Sequence, residues 1–197
     1  MKKVTIIDYG SGNVLSAQKS FIKIARDNNI EATVIISKNL SDIKSSSHII
    51  LPGQGAFQTC MNGLKKTHGL IDELCEFALI KKKPFLGICV GMQMLAKMSD
   101  ENGTHEGLGW IDGKIKQLSA DVVKLPHMGW NEATPKNSKY RNLISTKDDY
   151  YFVHSYYFDC VNNDNILAET KYGTNFASIV GKENIYGVQF HPEKSSS

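Results

Sequence analysis

The chain has 197 residues, of which 41% are hydrophobic and 22% are charged. That balance excludes a disordered chain and supplies apolar material for one sizeable core, so residues 1–197 are expected to form a single domain. The net charge of +3 is too small and too scattered to indicate nucleic-acid binding, and the longest apolar stretch is too short for a membrane-spanning helix.

The first half of the chain alternates apolar runs with helical periodicity. Asn28 and Asn29 supply a stop after the first helical segment, and Pro84 breaks the chain after the second. The strand candidates lie at 4–7, 33–36, 48–51 and 85–88, and the helical segments at 17–25 and 70–78. Strands that alternate with amphipathic helices indicate a parallel sheet covered on both faces.

Short apolar runs separated by Gly, Asn and Asp make up the second half, with little helical periodicity between them. They lie at 115–118, 122–125, 150–155, 166–170, 176–180 and 185–190. This spacing is typical of antiparallel pairing, which we expect to extend the same sheet. The predicted fold class is therefore α/β, with a mixed, mostly parallel sheet covered by helices on both faces.

A glycine-flanked cysteine follows the fourth strand candidate. Cys89 lies between Gly87 and Gly91, and a helix-compatible stretch then runs to Met98. This is the arrangement of a nucleophile elbow with Cys in place of Ser, and the positive end of a helix dipole favours a thiolate. A cysteine in an apolar run is more often a buried packing residue, so the turn alone leaves both interpretations open.

The other cysteines are expected to be packing residues. Cys60, Cys75 and Cys160 belong to no C-x-x-C pair, and the six histidines are equally dispersed. A metal site therefore has no support, and free thiols in a reducing compartment are favoured. No secretory signal is recognisable in the sequence. We expect a cytoplasmic protein.

The C-terminal segment supplies a base and a group to orient it. His191 and Glu193 are two residues apart, so in extended chain they point to the same side. The carboxylate can accept the N–H of one imidazole nitrogen and leave the other nitrogen to take the proton of a thiol. Together with the elbow at Cys89, this spacing predicts a Cys-His-Glu triad.

A glycine-rich loop follows the third strand candidate at 51–57. Taken alone it is an ordinary turn, but at the carboxyl end of a strand it can direct a backbone N–H at a developing oxyanion. We expect the oxyanion hole to combine Val90 N–H with a peptide N–H around Gly53 and Gln54.

These features together resemble the class I (triad) glutamine amidotransferases. Within that group, four segments resemble the glutaminase subunits of imidazole glycerol phosphate synthase, and the likeness runs nearly end to end. The segments are DYGSGN at 8–13, PHMGWN at 126–131, YFVHSY at 151–156 and HPEKS at 191–195.

The resemblance implies a flavodoxin-like fold and hydrolysis of glutamine to glutamate and ammonia without a cofactor. Cys89 would attack the side-chain amide, His191 would move protons and Glu193 would orient His191. The loop at Gly53 would need a peptide flip before it is competent. The amino-acid end of glutamine would lie against Gly55, Gln93, His154, Ser155 and Tyr156.

The resemblance also implies a partner. Family members dock on a (β/α)₈ barrel cyclase as a heterodimer, and the cyclase uses the ammonia to make imidazole glycerol phosphate and aminoimidazole carboxamide ribonucleotide in histidine biosynthesis. The positions that match the interface are Asn13, Trp130, Tyr151 and Lys194. Two alternatives stay open: a paralogous glutaminase that supplies another synthase, such as a sugar amidotransferase, and a non-catalytic regulatory module, which the complete triad disfavours.

One departure from the family concerns the end of the chain. Ser197 follows Glu193 by four residues, whereas relatives continue into a last helix that packs on the sheet. We therefore expect either a truncated chain or a partly uncovered sheet, and the barrel interface is affected more than the triad.

Overall fold

The computed structural model describes residues 1–137, 144 and 148–195. Its largest element is an eight-stranded sheet, whose parallel part brings together strands distant in sequence. In chain order these strands are β1 (Lys2–Ile7), β2 (Ala32–Ser37), β3 (His48–Gly53), β4 (Phe85–Cys89) and β14 (Ile185–Val188). Their spatial order is β2-β1-β3-β4-β14, and every neighbouring pair is parallel.

Helices connect the parallel strands. They are α1 (Val14–Asp27), α2 (Leu40–Ser45), α3 (Phe57–Lys66), α4 (Leu70–Cys75), which continues as a π-helical turn over Glu76–Ile80, and α5 (Val90–Gln93). Asn13 caps α1 by accepting a hydrogen bond from Ser16 N–H at 3.3 Å. The helix ends before Asn28, where the sequence predicts a stop. Within the described ranges, no helix combines the length and hydropathy that a bilayer crossing requires.

The second half of the chain is mostly antiparallel, as predicted, although β14 pairs in parallel with β4. Strands β13 (Thr174–Lys182), β12 (Ile166–Tyr172) and β9 (Thr134–Pro135) extend the large sheet beyond β14. The expectation that all the later strands join that sheet is wrong. Strand β8 (His127–Glu132) pairs with β10 (Asp149–His154), and β11 (Tyr156–Cys160) joins β7 (Gly113–Gln117), β5 (Met98–Ser99) and β6 (His105–Glu106).

The separate sheets arise from a change of partner at one residue. Strand β10 ends at His154 and β11 begins at Tyr156, so Ser155 separates them. The Ser155 carbonyl accepts a hydrogen bond from Leu118 N–H at 2.9 Å. The chain thereby leaves β8 and takes up β7 as its new neighbour.

Two local predictions are also wrong. The strand expected at 122–125 is a turn, because the N–H groups of Val122 and Val123 both donate to the Ser119 carbonyl. The helix expected to run to Met98 ends at Gln93. Leu95 and Ala96 donate three residues back, and Lys97 N–H instead donates to the Gly113 carbonyl. That bond draws the chain into β5.

The core has two parts. The larger lies on the parallel strands and includes the fully buried side chains Ile6, Leu51, Phe57 and Phe85. The smaller lies under the antiparallel strands and includes Phe152, Phe176 and Phe190. Val188, the last residue of β14, packs against both parts.

Candidate active site

The candidate catalytic groups meet at one edge of the sheet. Gly53 at the end of β3 pairs with Cys89 at the end of β4, and Val188 at the end of β14 pairs with Ile88. His191 follows β14 by three residues. The carboxyl ends of adjacent parallel strands form the usual binding crevice of open α/β sheets, and here they unite a thiol, an imidazole and a glycine loop.

The turn that carries Cys89 has the strained geometry of a nucleophile elbow. Cys89 adopts φ 55° and ψ −113°, a combination that costs free energy for a residue with a side chain. Close backbone contacts hold it there. A Cβ on Gly91 would lie 1.8 Å from the Leu51 carbonyl oxygen, and a Cβ on Gly53 would lie 2.5 Å from Gly91 N. Only glycines allow α5 to rest this closely on β3.

His191 is oriented by Glu193, as the spacing predicts. His191 Nδ1 lies 2.9 Å from Glu193 Oε1, and the two side chains are only 6% and 4% exposed. The short helical turn Pro192–Lys194 places the carboxylate beside the ring. Among the described residues, His191 Nε2 has no hydrogen-bond partner. It is therefore the nitrogen available for proton transfer.

The electrostatic surroundings of His191 favour its charged form. Burial lowers the pKa of His191. Cys89 and the Glu193 carboxylate raise it by more, so that the pKa of His191 lies at about 9. A charged imidazolium beside Cys89 can stabilise the negative charge that a cysteine carries when it acts as a nucleophile.

Hydrogen bonds from Tyr9 and Ser11, in the segment after β1, hold the glycine loop. Tyr9 Oη donates to the Pro52 carbonyl at 2.6 Å, and Ser11 Oγ donates to the Gln54 carbonyl at 2.7 Å. Gln54 N–H in turn donates to Ser11 Oγ at 3.3 Å. An oxyanion hole that uses Gln54 N–H requires this last bond to break. Val90 N–H lies in the first turn of α5, where amides have no partner within the helix.

A cavity of about 370 Å³ opens above these groups. It is lined by Cys89, Val90 and His191, and all five predicted substrate-binding residues line it as well: Gly55, Gln93, His154, Ser155 and Tyr156. Gln54 completes the loop side. The predicted site residues thus surround a single space, apart from Gly53, which packs against the elbow, and Glu193, which lies behind the imidazole.

Glu101 also lines the cavity, and sequence reasoning missed it. Its Oε2 accepts a hydrogen bond from Phe57 N–H at 2.7 Å, at the start of α3. It stands in the loop between β5 and β6, far from any recognisable motif. The predicted helix to Met98 would have carried it away from the site, so the sequence held no usable signal.

His154 lines the cavity as a neutral polar side chain. Burial, together with the neighbouring charges of His127 and His191, lowers the pKa of His154 to about 3. Its Nδ1 lies 2.8 Å from the Tyr156 carbonyl, and its Nε2 lies 3.0 Å from His127 Nδ1. Because both nitrogens are engaged, His154 is not a competing base.

Three of the four predicted interface residues form one surface group, in which Trp130 and Lys194 are exposed and Tyr151 is half-buried. The Trp130 and Tyr151 rings pack edge to face at 5.5 Å, and Lys194 Nζ lies 5.5 Å from the centre of the Tyr151 ring. Trp130 is 54% exposed, which is unusual for a large aromatic side chain. The side chain of Asn13 is engaged in capping α1.

The chain matches a family model described as glutamine amidotransferase class-I over residues 5–197. It belongs to the class-I glutamine amidotransferase family. It is 42% identical over 199 residues to imidazole glycerol phosphate synthase subunit HisH of Rhodospirillum rubrum, covering 99% of this chain and 93% of that relative. HisH of Pelagibacter ubique is 47% identical over 196 residues, covering 98% and 92%.

Solved structures show the same fold. A glutamine amidotransferase crystal structure superimposes with a TM-score of 0.68 at 16% identity, covering 96% of this chain and 90% of that chain. A glutamine amidotransferase from Thermotoga maritima gives a TM-score of 0.66 at 20% identity, covering 98% and 76%. The predicted α/β fold class is confirmed.

Proposed function

We propose that this chain is the glutaminase subunit of an imidazole glycerol phosphate synthase, with residues 1–197 acting as one amidotransferase domain. It hydrolyses glutamine to glutamate and ammonia, and a cyclase subunit uses the ammonia to make imidazole glycerol phosphate and aminoimidazole carboxamide ribonucleotide in histidine biosynthesis. The observation that carries the proposal is the buried His191–Glu193 pair beside Cys89 at the end of β4. The HisH relatives support the assignment to this pathway.

The reaction begins with the Cys89 thiolate. The sulfur attacks the carbonyl carbon of the glutamine side-chain amide, and the electron pair moves to the carbonyl oxygen, which Val90 N–H stabilises. His191 donates its proton to the departing nitrogen, so ammonia leaves and a γ-glutamyl thioester remains on Cys89. His191 then takes a proton from water, which hydrolyses the thioester to glutamate and restores the thiolate.

The second oxyanion donor provides a gate. Gln54 N–H reaches the oxyanion only after its bond to Ser11 Oγ breaks, and the glycines on either side of Gln54 permit that rotation. While the isolated chain keeps the bond between Gln54 N–H and Ser11 Oγ, the oxyanion hole lacks its second donor and little glutamine is hydrolysed. We therefore expect weak activity until a partner shifts the loop.

Glu101 is assigned to the α-ammonium group of glutamine, because it is the carboxylate in the cavity wall. Glu101→Gln is expected to raise KM by roughly 10- to 100-fold with a smaller effect on kcat, the cost of one charge-assisted hydrogen bond. Gln keeps an oxygen for Phe57 N–H, so the start of α3 is preserved. Steady-state kinetics measures both constants. The matched control is Glu106→Gln at an exposed position of β6. An unchanged KM in Glu101→Gln would refute this role.

The partner is proposed to be a (β/α)₈ barrel cyclase that docks as a heterodimer. The relatives carry the name of a subunit. The surface group of Trp130, Tyr151 and Lys194 adjoins the site through His191, whose N–H donates to the Tyr151 carbonyl at 2.9 Å. Aromatic side chains that are exposed in the free subunit are typical of interface centres.

The four free cysteines suit a reducing compartment, and we place the protein in the cytoplasm.

The proposed function is tested by glutamate release from the purified chain. The chain is assayed alone, with the cyclase barrel of the same genome, and with the barrel plus its ribonucleotide substrate. We expect little release from the chain alone and strong stimulation in the full mixture. Stimulation by a different synthase and none by the cyclase would assign the chain to a paralogous pathway. No release in any mixture would reject the glutaminase assignment.

A further inference from the structure

We infer that Gln189 holds the Cys89 thiolate through a side-chain N–H and links the nucleophile to the substrate wall at Gln93. Gln189 Nε2 lies 3.8 Å from Cys89 Sγ. The Gln189 side chain is fully buried, and it stands two residues before His191. The inference rests on the proposed function, in which that sulfur is the nucleophile.

The orientation of the Gln189 amide follows from its neighbours. Gln93 Nε2 donates to the Tyr156 carbonyl at 3.0 Å and to Gln189 Oε1 at 3.1 Å. A carbonyl oxygen only accepts, so Tyr156 fixes the NH₂ group of Gln93. Gln93 then uses its second N–H on Gln189 Oε1. Gln189 must therefore present its own NH₂ group to the sulfur.

Burial makes this contact favourable for the charged form of the sulfur. A thiolate away from water needs hydrogen-bond donors, because burying a charge without partners costs several kcal/mol. The titratable groups whose charges act on Cys89 are His191, Tyr9 and Cys60, and His191 is the cation among them. Beside that cation, Gln189 adds a neutral, buried N–H donor.

Gln189 also connects the sulfur with the wall that receives the substrate. Gln93 lines the cavity and is 3% exposed. Since its two N–H groups are used by Tyr156 and Gln189, its Oε1 is what remains for the amino-acid end of glutamine. A shift of Gln93 on substrate binding would therefore move the Gln189 amide relative to the sulfur.

Alkylation of Cys89 by iodoacetamide tests the inference without glutamine turnover. The rate is followed by peptide mass mapping from pH 5 to 10 in the full chain. Gln189→Met keeps the side-chain length and removes the donor. We expect alkylation at pH 7 to slow by about 10-fold or more, the size of one hydrogen bond to a charged group, and the profile to move to higher pH. Gln18→Met is the matched control, since Gln18 Nε2 donates to the Val34 carbonyl away from the site.

Gln189→Glu replaces the donor at the sulfur by a negative charge. The carboxylate still accepts the N–H of Gln93 but presents an oxygen to the sulfur. We expect slower alkylation than in Gln189→Met, because a like charge beside the sulfur disfavours the thiolate. Unchanged profiles in both variants would overturn the inference. If neither folds, Gln93→Met releases the Gln189 amide, and an unchanged profile there would overturn it as well.

The two proposals fail separately. Glutamate release by the wild-type chain decides whether it is a glutaminase, while the alkylation profile decides whether Gln189 supports the thiolate. Altered alkylation in a chain that releases no glutamate would leave Gln189 acting on a thiol of another reaction. Glutamate release with unaltered alkylation would reject Gln189 alone.

Discussion

Cys89→Ser lowers glutamine hydrolysis by about 10³-fold or more, because a hydroxyl is a far weaker nucleophile than a thiolate under an imidazole base tuned to sulfur. The substitution exchanges one atom in a buried position, so the midpoint of thermal unfolding is expected to stay close to the wild-type value. Glutamate release in the presence of the stimulating partner measures the activity, and circular dichroism measures the fold.

Cys75→Ser is the matched control for that experiment. Cys75 is a half-buried thiol at the end of α4, and burial raises its pKa, so it is a poor nucleophile. We expect its activity to equal that of the wild type. Turnover by Cys89→Ser at the wild-type rate would contradict the thioester route, and an equal loss in both variants would indicate general damage.

Gly91→Ala is expected to destabilise the protein severely. The new Cβ would lie 1.8 Å from the Leu51 carbonyl oxygen. Neither atom can rotate away, because the oxygen belongs to the backbone and the backbone of residue 91 fixes the Cβ position. Overpacking of this kind costs about 3 kcal/mol or more, which corresponds to a fall of roughly 6–12 °C in Tm for a chain of this size. Any folded fraction carries a displaced Cys89 and is expected to be inactive.

The control for Gly91→Ala is Gly109→Ala. Gly109 has φ +69°, and a Cβ there would meet no atom within 4 Å. That variant isolates the cost of a left-handed backbone, about 1 kcal/mol, from the cost of a collision. Differential scanning calorimetry compares the two. A Gly91→Ala variant as stable as Gly109→Ala would contradict the close packing of the elbow on β3.

The placement of Cys89, His191 and Glu193 at one edge of the sheet could be predicted because its signals are local. Two glycines around Cys89 and the spacing of His191 and Glu193 each specify geometry within a few residues, and the fold of the first half follows from strands and helices with clear periodicity. Parallel strands then bring the two segments to one edge. The resulting arrangement needed no information about distant contacts.

The parts that could not be predicted depend on distant contacts. The helix after Cys89 ends early because Lys97 N–H pairs with Gly113, and this turn carries Glu101 back to the cavity. Gln189 faces the sulfur only because Tyr156, from another sheet, orients Gln93. The later strands are short and similar in composition, so the sequence does not specify which strands pair. The division of the described strands into three sheets could therefore not be predicted either.

Covalent labelling by a diazo-ketone analogue of glutamine, read by intact and peptide mass, tests directly whether Cys89 is the nucleophile. We expect one adduct, on Cys89, and slower labelling when glutamine is present. Burial raises the pKa of Cys60 and of Cys75, and that of Cys160 to about 12, so these thiols are expected to remain unmodified. Labelling of another cysteine, or labelling of Cys89 that glutamine does not slow, would contradict the assignment of Cys89 as the nucleophile of a glutamine-binding site.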